Sequence, residues 1–152
     1  MHWMQCRVIV VIPMSQTNLR SYSELITIDS FTGRFDYLKL NGVVGVSTFG
    51  FDRYLNQRFY KSQEWVSIRN HILIRDGGYD LGIEDRLVGG KIIVHHMNPL
   101  LIEDIILLKP IAIDPEYLIS MSINTHNAIH YGDENLLIKE FKERTPDDTK
   151  LW

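Results

Sequence analysis

Four of the chain's six histidines fall between His95 and His130, and their spacing restricts what the segment can fold into. The first two are adjacent, in Val94-His95-His96-Met97-Asn98-Pro99. The second two stand four apart, in Thr125-His126-Asn127-Ala128-Ile129-His130-Tyr131-Gly132. Ile92-Ile93-Val94 is β-branched and leads into the first pair, so His95 and His96 sit at the end of a strand. On a helix, residues four apart share a face, so His126 and His130 can reach one ion. Adjacent strand residues point to opposite faces, so only one of His95 and His96 can join them unless the strand end bends. Imidazole is both a common metal ligand and a base near neutral pH. The pattern therefore calls for a strand and a helix brought together around a metal, with one histidine left over as a proton acceptor.

Composition narrows the chemistry. The chain has 152 residues, a length that suits one domain of ordinary soluble composition. The single cysteine, Cys6, excludes an internal disulfide and a cysteine-based zinc site, so any metal must take histidine or carboxylate ligands. Three neutral imidazoles leave positions open on a divalent ion, as a catalytic site requires and a structural site avoids. A structural zinc site is the bland alternative. The apolar run Val8 to Pro13 is far shorter than the roughly 18 residues of a membrane span. It also lacks the pattern of a secretion signal, so a cytoplasmic protein with no membrane partner is expected. The polar texture after Met14 raises the expectation that translation starts there.

The net charge is −3, which by itself argues against nucleic acid. Its distribution is uneven. Arg53, Arg58, Lys61, Arg69 and Arg75 make the middle basic, whereas ten acids and five Lys/Arg follow Met97. Such a stripe is either a solvated face or a phosphate-contacting surface.

Ser30 caps a helix expected from about Phe31 to Leu40, with Gly42 beyond its end. Ser62 caps another, whose face is Trp65, Ile68, Ile72 and Leu73 and which stops at Asp76-Gly77-Gly78. Phe49 to Tyr60 is aromatic-rich and takes no firm assignment. Tyr79 to Leu81 and Lys91 to His96 read as short strands joined by a loop with Gly89-Gly90, and Leu118 to Met121 as another strand. Leu100 to Pro115 reads as a mixed connection, and Thr125 as the N-cap of the helix carrying His126 and His130. The chain divides into an N-terminal extension (1–20), a helical buttress (21–76), a histidine-bearing core (77–135) and a polar tail (136–152).

The segment Val94 to Pro99, followed by Tyr117-Leu118-Ile119 and then Thr125 to Gly132, resembles the ββα-metal motif of HNH endonucleases. Upstream, Phe31 to Leu40, Thr48 to Tyr60 and Arg75 to Gly82 are similar to phage-borne HNH proteins, as is the closing Asp148 to Trp152; the likeness runs from about Ser21 to Trp152. The resemblance implies an α+β fold: a ββα-metal (HNH, or His-Me finger) core with N-terminal helices packed against it. It implies metal-dependent hydrolysis of DNA phosphodiesters, in a phage-infected or prophage-carrying bacterial host, linked to genome packaging or mobile elements. Carried over by position, His96 matches the general base, and His95, His126 and His130 match the ligands of one Mg²⁺, Mn²⁺ or other divalent ion, with Zn²⁺ possible as purified. Tyr117 stands where the family has an asparagine that braces the loop between the strands; Asn98 or Asn127 are the alternatives for that task. Arg69 and Arg75 are the candidate DNA contacts. The rival expectation is a non-catalytic DNA-binding or packaging-accessory module with the metal as a staple.

Overall fold

The computed structural model describes residues 19–40, 53–83 and 86–137. Residues 138–152 of the polar tail, Gly42, Cys6 and the Met14 region lie outside these residues. The architecture is α+β: seven short helices and two small antiparallel sheets among the described residues. In chain order these are α1 (Tyr22–Leu25), α2 (Phe31–Leu38), α3 (Arg53–Tyr60), α4 (Gln63–Arg75), β1 (Tyr79–Asp80), β2 (Arg86–Leu87), β3 (Ile92–His96), α5 (Ile102–Ile106), α6 (Pro110–Ile113), β4 (Leu118–Ser122) and α7 (Ile123–Tyr131). No helix among them is long and apolar enough to cross a membrane.

The caps explain most helix starts. Ser30 Oγ accepts from Gly33 N at 3.1 Å and Ser62 Oγ from Trp65 N at 3.2 Å, so both expected N-caps are in place. The third differs. Ser122, not Thr125, caps α7, its Oγ accepting from Thr125 N at 3.2 Å. The helix starts as soon as β4 ends, and Thr125 sits inside its first turn, where its hydroxyl donates to Asp80 at 2.6 Å. Gly132 ends α7 at φ 67, the left-handed conformation that favours glycine. The connection from Leu100 to Pro115 is not irregular: it holds α5, α6 and the start of a 3₁₀ turn, Pro115–Tyr117. Asp104 accepts from Leu101 N at 2.8 Å at the start of α5, a cap from the N3 position that an N-cap search passes over.

The two expected strands around Gly89-Gly90 belong to different sheets. β1 pairs with β2, whereas β3 pairs with β4 in the register His95↔Ile119 and His96↔Leu118. The β3–β4 pair is covered on both faces. One face carries Ile93, Met97, Ile119 and Met121 and packs on Leu25, Phe35, Leu38, Ala128 and Ile129 of α1, α2 and α7. The other carries Val94 and Leu118 and packs on Phe59, Trp65, Ile72, Ile105 and Ala112 of α3 to α6.

The edge of β4 away from β3 is closed by side chains and one loop. Leu118 O accepts from Arg75 Nη2 at 2.7 Å, and Ser120 N donates to Asp76 Oδ2 at 2.7 Å. Ser120 O accepts from Leu81 N at 3.1 Å, and Ser122 N donates to Asp80 Oδ2 at 3.1 Å. Asp76 and Asp80 are both buried, and Arg75 Nε lies 2.7 Å from Asp76 Oδ1. Buried backbone groups must be paired, and here two carboxylates substitute for a third strand. Asp76→Ala leaves Ser120 N and one side of Arg75 without an acceptor, and is expected to cost about 3 kcal/mol. Asp36→Ala breaks only an exposed pair with Lys39 and is expected to cost less than about 0.5 kcal/mol. Urea unfolding of the two variants checks the contrast.

Candidate metal centre

The register of β3 and the pitch of α7 bring three imidazoles together. His95 lies on the face of β3 that packs under α7 and is 4% exposed. Its ring centroid is 5.2 Å from that of His126 and 5.1 Å from that of His130. The two helix rings are 4.2 Å apart. One nitrogen from each of the three lies within 4.8 Å of the others. Tetrahedral coordination at about 2.1 Å places nitrogens roughly 3.4 Å apart, a distance that small ring rotations can reach.

Two orphaned atoms test whether a metal fits. Among the described residues the buried side-chain nitrogens and oxygens lacking a partner are His95 Nε2 and His130 Nδ1, both in this trio. Native interiors rarely leave such atoms unpaired. Their protonation states agree. Burial pushes the His95 pKa well below 6.5, with further lowering from the neighbouring His126, His130, His96 and Arg20 charges. Burial also lowers His126, partly offset by its Asn127 hydrogen bond, and lowers His130, with help from His126. All three rings are thus neutral at pH 7 and present lone pairs. The donor set holds no carboxylate. Imidazoles suit Zn²⁺, Co²⁺ or Ni²⁺ better than Mg²⁺ or Mn²⁺, which prefer oxygen.

His96 goes to the opposite face, as alternation requires. Its ring stacks on Trp65 at 5.1 Å and 19°, with Phe59 and Tyr60 each 6.3 Å away. Nε2 donates to Ala112 O at 3.0 Å, which leaves Nδ1 as the ring's acceptor. Desolvation holds its pKa at about 4, only partly opposed by the Ala112 carbonyl.

Tyr117 meets the strand pair through its backbone: its carbonyl accepts from Met97 N at 3.0 Å. The side-chain amide that braces the loop after β3 is that of Asn98. It accepts from Arg20 N and donates to Arg20 O, both at 2.8 Å, tying that loop to the segment before α1. Asn127 hydrogen-bonds through its side chain only to its neighbour His126, at 3.4 Å. Arg69 is half-buried on α4 and makes no hydrogen bond or ion pair among the described residues. Arg75 corrects the expectation of a phosphate contact. It bonds Asp76, Pro115 O and Leu118 O and lies 3.7 Å over the Tyr22 ring, so its charge is spent inside the fold. The basic stretch around it gave no sign of this, because the acceptors are carbonyls from a distant segment. A cleft of about 400 Å³ lies at the start of α7, lined by Asp80, Lys91, Ser122 and Asn124 among others; none of the three histidines lines it.

No protein-family model, curated protein or solved structure matches the chain.

The trio is expected to bind Zn²⁺ and to give tetrahedral absorption bands with Co²⁺. Zinc at roughly a hundred times its Kd should stabilise the fold by about 2.7 kcal/mol, seen as a rise in Tm. His126→Ala should abolish both signals while retaining the metal-free unfolding transition, and unchanged signals would refute the site.

Proposed function

We propose that the protein is a metal-dependent DNA endonuclease of the HNH type. The observation that carries this reading is the convergence of His95, near the end of the first strand of an antiparallel pair, with His126 and His130 on the helix that follows the second strand. That order, strand–strand–helix with candidate ligands from the first and third elements, supports the ββα-metal reading that the sequence resemblance implies. An all-imidazole set adds no negative charge, so the full charge of a bound ion remains available to an anionic substrate such as a phosphodiester. When bound, the ion would offset charge developing on the phosphate and on the departing 3′-oxygen.

The chain's own residues divide the remaining work. His95, His126 and His130 would hold the ion, with no acid competing for it within the cluster. His96 is the general base of this reading. Its Nε2–H donates to the Ala112 carbonyl, so Nδ1 is the ring nitrogen left to accept a proton; the ring lies on the face of β3 away from the trio and would have to leave its Trp65 stack to reach water there. Stacking on Trp65 sets the ring plane. Tyr117 contributes its carbonyl to the ladder that keeps β3 and β4 in register. Asn98 braces the turn after the histidine pair. Of the two arginines, Arg69 remains the candidate for DNA backbone contact, and a 5′-phosphate product follows from the resemblance. The partner is then DNA in a bacterial cytoplasm, with phage packaging machinery or mobile-element transfer as the setting.

One observation favours a second reading, a DNA-binding or packaging-accessory module in which the ion only staples β3 to α7. His96 is enclosed by Trp65 and Ala112 on the face away from the trio. Plasmid nicking separates the two. The enzyme should cut supercoiled DNA with added Mn²⁺, Co²⁺ or Zn²⁺, stop on chelation and recover with fresh ion while remaining folded. His96→Ala should lower the rate by about 10²-fold or more with ion binding retained. A staple should unfold on chelation and never nick. Wild-type cutting by a folded, metal-loaded His96→Ala variant would remove His96 from the mechanism.

A further inference from the structure

Arg20 is a half-buried cation with no carboxylate partner among the described residues. Its surroundings fix it from three sides. The Asn98 amide holds its backbone N and O, three positions after His95 in the chain. Its Nε donates to Tyr37 O at 2.7 Å and its Nη2 to Lys39 O at 3.2 Å. The next residue, Leu40, donates its N–H to Ile129 O at 3.0 Å, adjacent to His130. Arg20 therefore sits between the end of β3 and the end of α7, the two elements that supply the histidines. Nη1 makes no hydrogen bond among the described residues.

A half-buried charge is normally paired, and the two elements that Arg20 ties together carry a histidine trio that can take a dication. A guanidinium beside a dication repels it, so the arrangement is favourable only when an anion joins both. We infer that Arg20 contacts the phosphate group engaged at the histidine centre, through the guanidinium edge that Tyr37 and Lys39 leave uncommitted. The inference rests on the nuclease reading and names a residue that reading did not include. Arginine suits the task because its planar fork can bond two backbone carbonyls and a phosphate oxygen at once.

The two charges make opposite predictions for ion and substrate, which a purely structural role would not. In the full-length Arg20→Gln protein, Zn²⁺ should bind about fivefold tighter, because a nearby positive charge is gone. A short fluorescein-labelled DNA duplex, measured by anisotropy with the ion loaded, should bind about tenfold weaker. The slope of log K against log salt should fall by about one. Arg20→Lys keeps the charge and loses the fork, so its zinc affinity should match wild type while its duplex affinity lies between the two. Zinc and duplex affinity falling together in both variants overturns the inference in favour of a structural role. Arg20→Gln matching a wild type that nicks and binds DNA overturns Arg20 alone. A wild type that binds neither zinc nor duplex overturns the nuclease reading and this inference with it.

Discussion

The buried carboxylates of Asp76 and Asp80 hold the strand pair on which the histidine centre is built. A two-stranded sheet is marginal by itself in water, and its outer edges expose unpaired backbone groups. In this protein one edge of β4 is answered by Arg75, Asp76, Leu81 and Asp80 in succession, while α7 starts directly from the strand end. Asp80 also receives the Thr125 hydroxyl, one residue before His126. The same carboxylate thus sets where β4 stops and how α7 is rotated. Moving that helix by one residue would turn His126 and His130 by about 100° away from His95.

Once the pair is fixed, strand alternation does the sorting. His95 and His96 differ by one position and enter two separate packed regions. On the α7 side, an imidazole meets two more and leaves a buried nitrogen unpaired. On the α4 side, an imidazole meets Trp65 and a carbonyl and is satisfied. The residues are chemically identical, so environment alone separates a candidate ligand from a candidate base.

The histidine grouping was legible because periodicity alone carries it: a shift of the cap from Thr125 to Ser122 does not alter which residues of a helix share a face. Ser30 and Ser62 were legible for the same local reason, since a cap is read within four residues. What escaped was non-local. Arg75 looks like any basic residue until Pro115 O and Leu118 O arrive from some 40 positions away. Arg20 was hidden further, as its tether is Asn98 and its acceptors are backbone carbonyls, which carry no sequence signature. The helices between Leu101 and Ile113 were hidden by their shortness, since four or five residues hold too little of a 3.6-residue period to be recognised.

The loop after β3 is braced by a side-chain amide, though not from the position at which the resemblance places one. In the pattern the sequence resembles, an asparagine side chain braces the loop between the two strands. Here Tyr117 occupies that place and works through its carbonyl, which lies in the ladder with Met97 N and would be available from any residue. The side-chain amide is instead at Asn98, and a primary amide is the one neutral side chain that can pair with both groups of a backbone residue at once. Because that residue is Arg20, the brace does two things. It stiffens the turn beyond His95 and His96, and it fastens a cation between the elements that carry the trio. A brace made by Tyr117 within the hairpin would have held the strands equally well but would have left the N-terminal segment untethered. The Asn98 brace therefore ties the hairpin to the N-terminal segment that carries Arg20, and a change at Asn98 must disturb both.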